Sequence, residues 1–169
     1  AKKFNFKLKI RKINLKQTEQ YIKKIIPLIE STNVVKVGVA LPFYLAAEQA
    51  KKDKVKVLFS GLGSEEIFAG YERHEKSSNI NKECLSGLRK IYERDLYRDD
   101  VVTMANTIEL RLPFLDKSLV DYALKIPEKY KLNKDNKKLI LRYIADDLRI
   151  PKEFAWRKKK AAQYGSKFD

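Results

Sequence analysis

Residues 57–66, Val57-Leu58-Phe59-Ser60-Gly61-Leu62-Gly63-Ser64-Glu65-Glu66, constrain this chain more than any other stretch. Val55, Val57, Leu58 and Phe59 suit a strand covered on both faces, as in a parallel sheet. The strand runs directly into small residues and then into two carboxylates. Gly61 and Gly63 let backbone N–H groups approach a ligand closely, and Ser60 and Ser64 add hydroxyl donors. Glu65 and Glu66 open the next helix, where carboxylates suit the positive end of the dipole and can also hold a metal. Ligands of open α/β sheets bind at the carboxyl ends of strands, the position this loop occupies. A strand–Gly-x-Gly–helix junction also occurs as a plain tight turn. The leading reading is a nucleotide or phosphate site.

The rest of the chain sets that loop in an α/β framework. Phe4, Phe6, Leu8 and Ile10 alternate with polar residues and predict a half-buried strand. Tyr21, Ile22, Ile25, Ile26 and Ile29 recur at helical spacing within residues 18–30, where Pro27 is expected to bend or split the helix. Pro42 suits the first turn of a helix running to about Lys52. The strand at 55–60 follows. From Asn79 onward the pattern is almost wholly helical, with segments near 80–94, 99–107, 116–125, 136–148 and 158–164 punctuated by Pro113, Pro127 and Pro151. Two strands alternating with helices, then a helical block, describe part of an α/β layer with a helical C-terminal continuation. No repeat, low-complexity tract or linker marks a second domain.

Three motifs in this order carry a family resemblance. Ser60-Gly61-Leu62-Gly63-Ser64-Glu65-Glu66, with Ala69-Gly70-Tyr71 after it, resembles the asparagine synthetase family's Ser-Gly-Glu-Gly-Ser-Asp-Glu with Gly-Gly-Tyr downstream. Glu109-Leu110-Arg111-Leu112-Pro113-Phe114-Leu115-Asp116 resembles the family's Glu-Ala-Arg-Val-Pro-Phe-Leu-Asp, and Arg157-Lys158-Lys159-Lys160 its late Arg-x-Lys segment. The resemblance spans roughly residues 57–166. It implies an adenine-nucleotide alpha hydrolase-like parallel sheet, with residues 1–169 as the central and C-terminal part of one synthetase domain. It implies ATP and Mg2+, adenylation of a carboxylate (aspartate, to β-aspartyl-AMP), attack by ammonia, and release of AMP and pyrophosphate. A glutaminase domain or subunit outside this chain would supply the ammonia. Ser60, Gly61, Gly63 and Ser64 fall at the ATP loop, and Glu65 stands where the family places a magnesium- and pyrophosphate-binding aspartate. Lys159 matches the lysine that steadies pyrophosphate. Leu62 and Glu109 are the substrate-side candidates, with an Arg111 pairing as the alternative role for Glu109.

Two departures from the family pattern stand out. Its glutamate between Ser-Gly and Gly-Ser is Leu62, which can neither accept a proton nor orient ammonia. Its first signature, Ser-Gly-Gly-x-Asp-Ser, is absent, and only Gly38 precedes Gly61 among the glycines. The sequence therefore predicts weak catalysis by this segment alone. The opening on Ala1 predicts a piece of a longer protein. GYxRH at 70–74, together with Leu62, also resembles divergent asparagine synthetase domain-containing proteins.

Composition removes several classes. Cys84 is the only cysteine and His74 the only histidine, so thiolate clusters, His-rich metal sites and intrachain disulfides are excluded. A reducing, cytoplasmic setting is the default. No apolar run reaches the ~18 residues needed to span a bilayer. The net charge of +15 suits an anionic partner. The lysines, however, are scattered rather than interleaved with aromatics, which speaks against nucleic acid. A basic RNA-binding or RNA-modifying relative and a noncatalytic paralogue remain the alternatives. Locally, Asp116 is expected to cap a helix, Arg98-Asp99-Asp100 to cap or catalyse, Pro113-Phe114-Leu115 to form a core-anchored turn, and His74 to be a surface group.

Overall fold

The computed structural model describes residues 2–158 and 164–165. Helices α1 (Leu15–Ile29) and α2 (Val34–Lys52) lead to strand β1 (Val57–Phe59). Short helices α3 (Ser64–Ile67) and α4 (Glu72–Glu75) precede α5 (Ile80–Ile91), which passes through a π-helical turn (Tyr92–Leu96) into α6 (Tyr97–Met104). Strand β2 (Glu109–Arg111) and a 3-10 turn (Pro113–Leu115) follow, and then α7 (Lys117–Ala123), α8 (Leu139–Asp147) and α9 (Lys152–Ala155). The fold is α/β and mostly helical. Its small sheet pairs β1 with β2 in parallel, with Val57 opposite Glu109, Leu58 opposite Leu110 and Phe59 opposite Arg111.

Three apolar clusters hold these elements. Ile25 and Ile29 of α1 pack with Val37, Ala40, Leu41 and Leu45 of α2 and Val102 of α6. Ala47 and Ala50 of α2 pack with Ile108, and Leu58 joins them, so α2 covers one face of the sheet. Ile67 and Phe68 pack with Ala123 and Ile126, against Phe114, Leu119, Val120, Ile140 and Leu141. This last cluster lies beneath the loop that follows β1 and ties α3 to α7 and α8.

Several expectations are corrected. Phe4, Phe6, Leu8 and Ile10 form no strand and stand exposed. Lys2–Phe4 is a single 3-10 turn, and no strand lies beside residues 4–10 among the described residues. Alternation marks a face, but a strand also needs a hydrogen-bonding neighbour. Instead Phe4 packs against Phe154 of α9 with the rings tilted by 53°, centroids 5.5 Å apart. Pro27 does not split α1, because it sits in the last turn before Glu30 ends the helix in the left-handed conformation. Pro42 is not at a helix start. Asn33 caps α2 by accepting from the Lys36 amide at 3.1 Å, and the helix runs through Pro42. Burial of Val37, Ala40 and Leu41 against α1 and α6 overrides the proline and the β-branched run around it.

β1 is covered on one face only, since Phe59 is 71% exposed. The helical block contains β2, whose pairing with β1 the local sequence does not announce. Arg98-Asp99-Asp100 caps nothing: α5, the π turn and α6 run on continuously, placing these residues inside helix. Residues 136–138 are not helical. An antiparallel bridge pairs Leu132 with Lys137, and α8 begins at Leu139. The helix expected at 158–164 lies largely outside the described residues. Asp116 does cap α7, accepting from the Leu119 amide at 3.1 Å.

Candidate functional site

Parallel pairing brings two distant motifs to one end of the sheet. β1 runs into Ser60-Gly61-Leu62-Gly63 and β2 into Leu112-Pro113-Phe114-Leu115, so both loops leave the carboxyl ends of neighbouring strands. The Ser60 amide extends the ladder by donating to the Arg111 carbonyl at 2.9 Å. The loops then pack together. Gly63 has φ +94°, and a Cβ there would lie 2.5 Å from Leu115 Cδ2 and 3.5 Å from Phe114 Cβ. Only glycine suits that backbone and that contact.

The loop is closed by its own hydrogen bonds. The Leu62 amide donates to Ser60 Oγ at 3.2 Å, and the Ser64 amide to the Gly61 carbonyl at 3.3 Å. Gly61 faces outward, and a Cβ on it would meet no heavy atom within 4 Å. Leu62 is half-buried, and Gly63 and Ser64 are buried. The Ser64 hydroxyl donates to Glu65 Oε2 at 2.8 Å, holding the carboxylate in place. Gly70 packs behind it, where a Cβ would come within 2.7 Å of Glu65 Cγ.

Glu65 opens onto a cavity of about 380 Å³ lined by Lys138, Leu141, Arg142, Phe154, Ala155, Arg157 and Lys158. Lys138 Nζ donates to Glu65 Oε1 at 2.8 Å. Lys138 stands just before α8 with φ +53°, a left-handed backbone costing a lysine about 1–2 kcal/mol. Arg142 clamps the far wall. Its Nε donates to the Lys137 carbonyl at 3.0 Å, and its Nη1 to the carbonyls of Ala155 at 3.0 Å and Arg157 at 3.3 Å. Four cationic residues, Lys138, Arg142, Arg157 and Lys158, thus line a cavity that holds one carboxylate. Lys138 and Arg142 escaped the sequence reading, because lysines are common here and nothing local separates Lys138 from Lys137.

Of the other candidates, Glu109 is not brought to this site. It lies opposite Val57, about 10 Å back along the strand from Ser60. Its carboxylate pairs with Arg111 Nε at 2.8 Å. Lys159 lies outside the described residues. Among the described residues no three carboxylate, imidazole or thiolate groups converge. Glu65 suits magnesium only in the manner usual for that ion, one carboxylate completed by phosphate oxygens and water. The Lys138 ammonium is the cation that pairs with Glu65.

A buried polar layer supports the loop from behind. Glu66 is buried, and burial raises its carboxyl above the usual range even though the Tyr71 hydroxyl bonds to it. Burial likewise raises the Tyr71 phenol, with Glu66 adding to the effect. Arg73 bridges this layer to α5, with its Nε 3.0 Å from Glu83 Oε1 and its guanidinium over the Tyr71 ring. His74 is not a surface group: it is fully buried and accepts from the Tyr71 amide at Nδ1, 3.1 Å. Burial lowers its pKa to about 4. In α6, Arg98 is buried with Nε 2.7 Å from Asp99 Oδ1 and Nη1 2.9 Å from Asp95 Oδ1 across the π turn.

Comparison with known proteins agrees with the motifs. The family model described as Asparagine synthase matches residues 1–84 and 74–168. A protein of Methanocaldococcus jannaschii named as a putative asparagine synthetase (glutamine-hydrolyzing) is 36% identical over 204 aligned positions, covering 98% of this chain and 38% of that protein. The human asparagine synthetase (glutamine-hydrolyzing) is 32% identical over 158, covering 90% of this chain and 28% of its own length. A second asparagine synthetase of Lotus japonicus is 33% identical over 148, covering 82% and 25%. The chain thus spans between a quarter and two fifths of the length of these relatives. Among the described residues, no single helix is long and apolar enough to cross a membrane.

Proposed function

The chain belongs to the asparagine synthase family, and on that premise we propose that it forms the nucleotide-binding part of an ATP-dependent, amide-forming ligase. In this reading β1 and β2 are two strands of an adenine-nucleotide alpha hydrolase-like sheet. Residues 1–169 are then the central and C-terminal part of one synthetase domain, working in the cytoplasm. The observation that carries the proposal is the convergence of the Ser60–Ser64 loop, the Pro113–Leu115 turn and Glu65 beside a cationic cavity.

The chemistry asks two things of such a site. A substrate carboxylate attacks the α-phosphorus of ATP, so the nucleotide must be held close to the backbone, a role assigned to Ser60, Gly61, Gly63 and Ser64. Pyrophosphate departs with concentrated negative charge, which Lys138, Arg157, Lys158 and Lys159 are suited to stabilise. Magnesium, held by Glu65, would neutralise part of the phosphate charge. Ammonia then attacks the mixed anhydride, giving the amide and AMP. Relatives named as glutamine-hydrolyzing support a glutaminase domain or subunit outside this chain as the ammonia source. Aspartate is the acceptor favoured by the family. Leu62 makes one wall apolar and leaves another carboxylate open as acceptor.

ATP–pyrophosphate exchange on the intact protein, with and without aspartate, tests the assignment. Aspartate-dependent exchange is the expected result. Exchange with a different carboxylate alone would replace the acceptor, and ATP binding without exchange under any carboxylate would overturn the ligase reading.

A further inference from the structure

The ion pair between Lys138 and Glu65 leads to an inference that rests on the ligase reading and goes beyond it. Both Glu65 oxygens are engaged, Oε1 by the Lys138 ammonium and Oε2 by the Ser64 hydroxyl, each at 2.8 Å. The pair is partly shielded, with side-chain exposures of 24% for Lys138 and 16% for Glu65. Lys138 makes it from a left-handed backbone that a lysine does not favour. A cation is therefore fixed, at conformational cost, on the carboxylate to which the ligase reading assigns magnesium.

We propose that Lys138 is a built-in counter-ion that holds the metal seat on Glu65 until phosphate arrives. Magnesium and the ammonium compete for the same Oε1, so the free metal binds poorly while Lys138 occupies it. A pyrophosphate group in the adjoining cavity offers Lys138 an alternative anion among Arg157 and Lys158. The Lys138 ammonium would then leave Glu65 for a phosphate oxygen, and the freed carboxylate would be able to hold the metal that accompanies the phosphate. Metal and phosphate consequently bind as a unit, and the seat is not filled by metal alone.

The test is Mn2+ binding to the intact protein, followed by electron paramagnetic resonance, with and without inorganic pyrophosphate. Wild type should bind Mn2+ weakly alone and much more tightly with pyrophosphate. Lys138→Gln should bind Mn2+ alone up to about fivefold more tightly, the loss of one partly exposed ion pair, and lose most of the gain from pyrophosphate. Lys138→Gly, which relieves the left-handed backbone, should behave the same way and guards against misfolding. Lys138→Arg should restore the wild-type pattern. Unchanged Mn2+ affinity in both the Gln and Gly variants overturns the proposal. If Glu65→Gln nevertheless abolishes binding of Mn2+ with pyrophosphate, the metal assignment survives that failure. If Glu65→Gln leaves that binding intact, the assignment and the proposal fall together.

Discussion

Gly61 and Gly63 are two residues apart in one loop, yet their replacement by alanine should have opposite consequences. At Gly63 the backbone has φ +94°, and the added Cβ would sit 2.5 Å from Leu115 Cδ2 and 2.8 Å from its Cγ. The left-handed backbone costs an L-residue about 1–2 kcal/mol, and forcing an extra methyl into a packed contact costs about 1–3 kcal/mol. Reduced freedom of the unfolded chain returns about 0.4–1 kcal/mol. Gly63→Ala should therefore lose about 1–5 kcal/mol, read as a lower urea midpoint at unchanged m in equilibrium unfolding. At Gly61 the Cβ meets nothing within 4 Å, so Gly61→Ala should stay within about 1 kcal/mol of wild type. If the loop binds nucleotide as proposed, the same methyl would stand in its approach, so ATP affinity should fall although the fold is intact. Pairing Gly63→Ala with Leu115→Ala should recover at least about 1 kcal/mol relative to additivity, because the clash is with that side chain. A Gly63→Ala protein as stable as wild type, or strict additivity with Leu115→Ala, would refute the packing of the two loops.

Three further outcomes are expected. His74, with a folded pKa of about 4 against 6.5 for the free side chain, is protonated first in the unfolded chain as pH falls. Stability should drop between pH 6.5 and 4 by at most about 1.4 kcal/mol per pH unit. His74→Gln should remove that component from urea midpoints, and an unchanged pH slope would disprove it. Arg98→Met strands buried Asp99 and should lose about 3–5 kcal/mol in urea unfolding, most of it recovered by the Arg98→Met, Asp99→Leu pair. Arg142→Met releases the carbonyls of Lys137, Ala155 and Arg157. It should cost about 1–3 kcal/mol in urea unfolding and weaken pyrophosphate binding, measured by calorimetry, about tenfold; native affinity would show that the clamp does not shape the cavity.

What the sequence made legible was local. An apolar run ending in small residues needs no distant partner to be read as strand and loop, and β1 followed by α3 lies there. Asp116 likewise caps α7 through an amide three residues away. β2 was hidden because Glu109-Leu110-Arg111 carries a single apolar residue, and only its register with Val57–Phe59 makes it a strand. The reverse error came at Phe4–Ile10, where alternation is clear but no neighbouring strand lies alongside among the described residues. At α2, burial of Val37, Ala40 and Leu41 decided what propensity around Pro42 could not.

The site divides along the same line. Ser60, Gly61, Gly63, Ser64 and Glu65 are contiguous, so their shared place at a strand end follows from the chain itself. Lys138 is 73 residues from Glu65 and reaches it through a sequence of non-local steps. The Leu132–Lys137 bridge turns the chain back, and the Leu139 amide is tied to the Lys131 carbonyl at 2.8 Å. Lys138 then takes the left-handed conformation before α8 begins, and from there its ammonium meets the carboxylate. Lys137 is turned instead toward Glu75, 3.0 Å away. Two identical side chains side by side thus serve different carboxylates, a division that no residue type at 137 or 138 specifies.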